Sequence, residues 1–248
     1  AEIGPLKNLK RIDLAKNKIS AWPDDMPPLD GVETLDISHN RLGNLTPKAL
    51  ADLFLDIPNV RTLTLSNNRI PALPPAIGTL KRLNELTLSN TALTTLPPDI
   101  GHLESLERLT IEHTPLASLP AEIGKLKKLR ALILEKTELT TLPEEIGQLD
   151  ALTSLRLVNN QLLRIPAGIG DPKRIEGLYL GGNQLSALPP DIGRLVTLTR
   201  LQIDQNNLST LPAEIRNLTN LKELTLGRTF PQDKREEIRK LLPQCRVN

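Results

Sequence analysis

The stretch L-N-E-L-T-L-S-N-T-A-L-T-T-L-P-P-D-I-G-H-L, residues 83–103, contains the pattern that decides the fold. Its first half alternates apolar and polar residues at Leu86-Thr87-Leu88, which is the period of a β-strand with one buried face. Its second half begins at Leu96-Pro97, where proline removes a backbone donor and favours an extended or first-turn conformation. The stretch therefore predicts one strand followed by an irregular return segment.

This pattern recurs along the chain, and each repeat is numbered here from its first apolar residue. The ten repeats begin at Leu9, Val32, Val60, Leu83, Leu106, Leu129, Leu152, Ile175, Leu198 and Leu221. One strand per repeat predicts a parallel sheet, because parallel strands need a crossover between them. A single repeat cannot bury its inward side chains, so we expect stability to come from the stacking of neighbours.

The composition excludes several classes of protein. The 31 basic and 29 acidic residues give a net charge of only +2, which argues against a nucleic-acid binder. No run of apolar residues is long enough to predict a membrane span. The single cysteine, Cys245, excludes an internal disulfide and favours a reducing compartment.

The motif L-x-x-L-x-L-x-x-N-x-L, followed by L-P-x-x-I-G-x-L as at Leu96–Leu103, resembles the leucine-rich repeat family over essentially the whole chain. The resemblance is to the 23-residue subclass found in bacterial proteins, Ras-associated scaffolds and plant intracellular relatives. It implies an α/β solenoid in the form of a right-handed horseshoe. A parallel β-sheet would line the concave face, and short helical or extended segments would form the convex side.

The chain is expected to form one domain, with a partial repeat at 1–8, repeats at 9–226 and a C-terminal cap at 227–248. Repeat 2, residues 32–59, has five extra residues, and Thr46-Pro47 before Lys48–Ile57 predicts a capped convex helix. Residues Gln232–Leu242 predict an amphipathic cap helix, and the ending around Cys245 resembles bacterial caps. Because the chain opens in the middle of a repeat, we expect it to be a fragment of a longer parent.

Position 9 of each repeat predicts a structural ladder. It is asparagine at Asn17, Asn40, Asn68, Asn160, Asn183 and Asn206. An inward asparagine can bond the backbone groups of adjoining turns. Repeats 4, 5, 6 and 10 have Thr91, Thr114, Thr137 and Thr229 there. This change is either tolerated variation or the sign of a softer stretch across Thr91–Thr137.

The sequence shows no catalytic or metal-binding constellation. His39 and His113 are three strand spacings apart, roughly 14 Å, which is too far for shared metal ligation. His102 lies on the outer side, and Cys245 is distant from every histidine. We therefore predict that this chain is not an enzyme and uses no metal or cofactor.

The concave face contains one uneven region. Position 5 is threonine in repeats 3 to 5 but Ile133, Arg156 and Tyr179 in repeats 6 to 8, with Val158 beside them. Tyrosine and arginine are typical binding hot-spot residues. The predicted site also includes Glu112, His113, Glu135, Lys136, Arg200 and Asp204. The alternative is that repeat drift placed these side chains without a partner.

These observations favour a monomeric protein-recognition module that binds a partner protein through its concave face. The resemblance favours a bacterial source, as a secreted effector or virulence factor acting on a host protein. One alternative is the substrate-recognition domain of a larger effector enzyme, such as a ubiquitin ligase or nucleotidyl transferase, with its catalytic domain outside this chain. Another is a Ras-associated type of intracellular signalling scaffold.

Overall fold

The computed structural model describes residues 8–172 and 174–248, so almost all of the expected partial repeat at 1–8 lies outside the described residues. Within these described ranges, eleven parallel strands form one sheet in chain order. The strands are β1 Arg11–Asp13, β2 Thr34–Asp36, β3 Thr62–Thr64, β4 Glu85–Thr87, β5 Arg108–Glu112, β6 Ala131–Glu135, β7 Ser154–Arg156, β8 Gly177–Tyr179, β9 Arg200–Gln202, β10 Glu223–Thr225 and β11 Arg246–Val247. The predicted parallel-sheet solenoid is confirmed.

Short 3₁₀ helices form most of the crossovers on the convex side. They span Leu42–Asn44, Pro75–Thr79, Pro98–His102, Ala121–Lys125, Glu144–Gln148, Ala167–Gly170, Pro190–Arg194 and Ala213–Asn217. The glycine of the I-G pair is required by their packing. A Cβ atom added at Gly124 would lie 2.6 Å from the carbonyl oxygen of Glu145 in the next repeat. Adjacent crossovers therefore approach each other too closely for a side chain at this position.

The longer crossover of repeat 2 contains helix α1, Pro47–Leu55, in the segment where the sequence predicts a helix. Thr46 is its N-cap, and its hydroxyl accepts a hydrogen bond from the Ala49 nitrogen at 3.1 Å. Trp22 of repeat 1 donates from Nε1 to Oδ2 of Asp56 at 2.7 Å. Partial burial raises the pKa of Asp56 above its ordinary value, against the lowering effect of this hydrogen bond. The insertion is thus tied to the first repeat.

From Asn40 onward, the side chains of the ladder asparagines connect consecutive repeats. Asn183 Oδ1 accepts from the Leu162 nitrogen at 3.0 Å, and its Nδ2 donates to the carbonyl oxygens of Leu157 and Leu180 at 2.9 Å each. The threonines form a different set of bonds, and Thr114 Oγ1 accepts from the Thr91 nitrogen of the preceding repeat at 3.3 Å. Thr91 Oγ1 donates to the Leu88 carbonyl oxygen at 2.9 Å within its own repeat. A threonine at position 9 therefore does not accept a hydrogen bond from the position 11 nitrogen of the preceding repeat, as Asn183 does from Leu162.

A left-handed turn follows the strand in nearly every repeat. Position 8 has a positive φ at Lys16, His39, Asn67, Asn90, His113, Lys136, Asn159, Gly182 and Gln205. L-amino acids other than glycine adopt this conformation at some cost in free energy. The turn directs the position 8 residue away from the sheet, to the edge where the strands end.

A cap covers the C-terminal end of the stack. Helix α2, Gln232–Leu241, buries Ile238, and β11 extends the sheet through the pairing of Leu224 with Val247. Cys245 is partly buried beside this strand, and burial raises the pKa of its thiol to about 11. Among the described residues, no helix has the length and apolar character required to cross a lipid bilayer.

Candidate protein-binding surface

The sheet register brings the three central candidates together. Ile133 on β6 pairs with Arg156 on β7, which pairs with Tyr179 on β8. Neighbouring strands lie about 4.8 Å apart, so the three side chains are direct neighbours. Val158 follows Arg156 by two residues on the same face. We call these four residues, Ile133, Arg156, Val158 and Tyr179, the contact patch.

Arg156 is held in place from two sides. Its Nε donates to Oε1 of Glu135 at 2.5 Å, and its Cζ lies 4.7 Å from the centroid of the Tyr179 ring. The Arg156 side chain is 39% exposed and that of Glu135 is 18% exposed. A cation–π contact of this kind contributes about 0.5–1 kcal/mol at an exposed site. The guanidinium is therefore ordered before any partner binds.

The Tyr179 ring lies down over Gly177 and does not project from the sheet. A Cβ atom at Gly177 would meet Cε2 of Tyr179 at 2.8 Å and its hydroxyl oxygen at 3.0 Å. Two further glycines, Gly181 and Gly182, follow Tyr179 closely in the sequence. Gly181 is covered by Gln202 and Asp204, whose Nε2 and Oδ1 lie 2.9 and 2.8 Å from a Cβ built there. Only Gly177 leaves space that the ring occupies.

The rest of the contact patch is less exposed than the sequence indicates. Ile133 and Val158 are both half-buried, although the alternation predicts an exposed isoleucine. Strand neighbours on the parallel sheet cover part of each side chain. The contact patch is therefore a low apolar surface around one ordered cation.

The surrounding candidates divide into two groups. Glu112 and Glu135 are paired neighbours on β5 and β6, both half-buried, and they join the contact patch on its N-terminal side. His113 and Lys136 are exposed in the left-handed turns at the strand-end edge, so they border the patch. The structure thus places the two glutamates directly beside the contact patch and the two basic residues at its rim.

The remaining two candidates lie on repeat 9. Arg200 is exposed on β9 and pairs in register with Gly177. Asp204 is half-buried, and among the described residues its Oδ1 has no hydrogen-bond donor. Gln202, which sequence reasoning did not select, lies between them beside Tyr179. Its place at position 5 next to the tyrosine is the signal that could have identified it.

In residues 8–172 and 174–248, no cluster of three or more His, Cys, Asp or Glu side chains could hold a metal ion. The histidines at positions 39 and 113 lie in separate strand-end turns. The arrangement offers a shaped, ordered surface, and its side chains are those that recognise proteins.

Comparison with known proteins gives a consistent assignment. The family described as "Leucine rich repeat" matches residues 58–116 and 104–162, and a second leucine-rich repeat description matches residues 31–53. A probable inactive serine/threonine-protein kinase, roco10 of Dictyostelium discoideum, is 35% identical over 80 residues, which are 32% of this chain and 3% of that protein. The chain therefore corresponds to a small part of that relative.

Solved structures share the fold. The Arabidopsis receptor kinase HAESA, in complex with the peptide hormone IDA and the co-receptor SERK1, superposes with a TM-score of 0.73 at 27% identity. That match covers 91% of this chain and 40% of the receptor chain. The leucine-rich repeat domain of the type III effector XopL has a TM-score of 0.71 at 24% identity, covering 96% of this chain and 75% of that one. The second likeness shows the fold alone.

Proposed function

Because the chain belongs to the leucine-rich repeat family, we propose that it binds a partner protein through its concave face, with the contact patch at the centre of the interface. The observation that supports this most directly is the ordered Glu135–Arg156–Tyr179 arrangement. Ordering a long side chain on binding costs about 0.5–1.5 kcal/mol, and here Arg156 is ordered in advance. HAESA, a 27% identical relative in structure, is itself seen with a peptide and a protein co-receptor.

The contact patch fits a partner with an apolar group flanked by charge. Ile133 and Val158 offer half-buried apolar surface, and the Tyr179 ring adds an aromatic face. Glu112 on one side and Arg200 on the other provide opposite charges. Such a centre with a polar rim is typical of protein interfaces.

We infer a monomer that engages one partner, and light scattering during gel filtration tests the monomeric state.

The test compares two matched double variants on the same face. Arg156→Ala/Tyr179→Ala removes the hot-spot candidates, and Thr64→Ala/Thr87→Ala changes position 5 in repeats 3 and 4. A partner is first identified by cross-linking through a photoreactive group at position 133, and its Kd is then measured by calorimetry. We expect the first variant to weaken binding at least about 30-fold, which corresponds to 2 kcal/mol. Equal affinities for both variants would refute the proposal.

The narrower proposal is that the parent protein is a bacterial secreted effector with a host partner. The fold of the XopL domain is compatible with it. A second candidate follows from the Dictyostelium relatives, which are named as kinases and of which this chain spans 3% and 5%. In that case the chain is the recognition domain of a larger signalling or effector protein. Sequencing the parent gene distinguishes the two, because a catalytic domain beside the repeats supports the second, whereas a secretion signal alone supports the first.

A further inference from the structure

A polar cavity of about 430 Å³ opens at the strand-end edge of repeats 2 and 3, far from the contact patch in repeats 6 to 8. It lies where repeat 2 departs from the regular crossover, just before helix α1. Its walls are formed by Asn40, Arg41, Gly43, Asn44, Asn67, Asn68 and Arg69. Nothing in the proposed function uses these residues.

Two of the lining amides are already satisfied by the fold. Asn68 Oδ1 accepts from the nitrogens of Asn40 and Leu42 at 3.1 and 3.2 Å, and its Nδ2 donates to the Ile37 carbonyl oxygen at 2.9 Å. Asn40 Nδ2 similarly donates to the Leu14 carbonyl oxygen at 2.8 Å. These two side chains are therefore the fixed wall of the cavity and are not free to bind a ligand.

The other lining side chains keep their hydrogen-bonding capacity. Within the described chain, the side chains of Arg41, Arg69, Asn44 and Asn67 have no hydrogen-bond or ion-pair partner. An arginine presents five N–H donors in a planar fork, and each amide adds two more. The cavity thus concentrates unused donors and two positive charges between two rigid repeats.

The backbone of the two loops fixes this arrangement. Arg69 has a φ of 47°, the left-handed conformation, at position 10 of its repeat. A Cβ atom at Gly43 would lie 2.9 Å from the carbonyl oxygen of Asn68, so the loops of repeats 2 and 3 touch through backbone atoms. The Gly43 nitrogen donates to that same oxygen at 2.9 Å. The backbone contacts therefore fix the two loops that carry Arg41 and Arg69 relative to each other.

The surrounding charge favours an anion. Lys16, Lys18 and His39 are exposed on the same edge, and in the described residues none of them forms an ion pair. Two concave carboxylates of repeats 1 and 2, those of Asp13 and Asp36, accept hydrogen bonds from the nitrogens of Ala15 and Ser38 at 3.0 and 2.9 Å. Basic side chains without local partners raise the concentration of anions nearby.

We propose that this cavity binds a phosphate group, held by the guanidinium groups of Arg41 and Arg69 with the amides of Asn44 and Asn67. Arginine forks match phosphate geometry through paired N–H···O bonds. A phosphate ester has three acceptor oxygens and a charge of about −1.5 to −2, which suits two cations and additional donors better than a carboxylate does. The phosphate belongs either to a modified side chain of a protein or to a free phosphate compound.

The experiment follows backbone amide signals of the 248-residue chain by NMR at constant ionic strength. The probes are inorganic phosphate, sodium acetate and N-acetyl-O-phosphoserine amide. We expect both phosphate probes to shift the signals of Arg41, Asn44, Asn67 and Arg69, and acetate to bind at least about ten-fold more weakly. Tighter binding of the phosphoserine probe identifies a phosphorylated protein as the source, and tighter binding of inorganic phosphate identifies a free compound.

Matched variants provide the control. Arg41→Gln/Arg69→Gln is expected to weaken phosphate binding at least about ten-fold, whereas Arg164→Gln/Arg216→Gln, which changes two exposed arginines elsewhere, leaves it unchanged. Absence of localised shifts in the unmodified chain overturns the proposal without any variant. Equal binding of acetate and phosphate, or unchanged affinity in the Arg41/Arg69 variant, overturns it as well.

Discussion

Replacing Gly124 with alanine places a methyl group between two convex crossovers that are in backbone contact. The new Cβ atom would lie 2.6 Å from the Glu145 carbonyl oxygen and 2.9 Å from the Glu145 Cβ atom, where ordinary contacts begin near 3.4 Å. The crossovers must therefore separate by roughly 0.5–0.8 Å, and such overpacking typically costs about 1–3 kcal/mol. The lower entropy of the unfolded alanine chain offsets about 0.4–1 kcal/mol of this cost.

We therefore expect Gly124→Ala to lower the free energy of unfolding by about 1–2 kcal/mol. Urea unfolding followed by circular dichroism measures it. The matched control is Arg216→Ala, because Arg216 has the same repeat position in the last 3₁₀ helix and its side chain is exposed. That variant should stay within about 0.5 kcal/mol of the unmodified chain. If the two variants unfold at the same urea concentration, the close contact with the Glu145 carbonyl oxygen is not the reason why position 124 requires glycine.

Four other predictions address single residues. Asn183→Ala should lower the unfolding free energy by about 2–3 kcal/mol, because buried backbone groups lose their partners; Asn207→Ala, an exposed neighbour, should change it little in the same urea assay. Lys136→Gly should raise it by up to about 1 kcal/mol by relieving the left-handed turn; unchanged stability would contradict this. Cys245, with a thiol pKa of about 11 instead of 9.0, should react with iodoacetamide at pH 8 about 100-fold more slowly than an ordinary thiol. Asp56→Asn should raise the free energy of unfolding at pH 7 but not below pH 3.8. A carboxyl group whose pKa is raised in the folded state contributes stability at low pH, and this contribution is lost as the pH rises. Unfolding followed by tryptophan fluorescence at pH 7 and below pH 3.8 tests this expectation.

The regular features of this fold follow from local sequence rules. Alternation at Leu86 and Leu88 and the proline after Leu96 are enough to predict a strand and its return segment. The neighbour relation of Arg156 and Tyr179 follows from the constant repeat length, because equal steps keep equal positions in register. These predictions depend on nothing beyond one repeat and its period.

Other features depend on contacts between two repeats and cannot be predicted from the sequence of a single repeat. Tyr179 lies flat because Gly177 stands two residues before it and Arg156 covers it from the preceding strand. The arginine cavity depends on Gly43 of repeat 2 meeting the loop of repeat 3. Each requires knowledge of which backbone atoms touch across an interface, and hydrophobic periodicity contains no such information.

Position 7 of the repeats relates the longer strands β5 and β6 to the candidate surface. In repeats 3 and 4, position 7 is serine, and the hydroxyl groups of Ser66 and Ser89 accept hydrogen bonds from the next repeat's nitrogens at 3.1 and 3.2 Å. Position 7 is glutamate in the next two repeats, and there β5 and β6 are five residues long and pair through Glu112 and Glu135. Strand conformation places the Glu135 carboxylate on the concave face within reach of Arg156. The two glutamates at position 7 thus lie on paired strand residues, and Glu135 orders the cation at the centre of the contact patch.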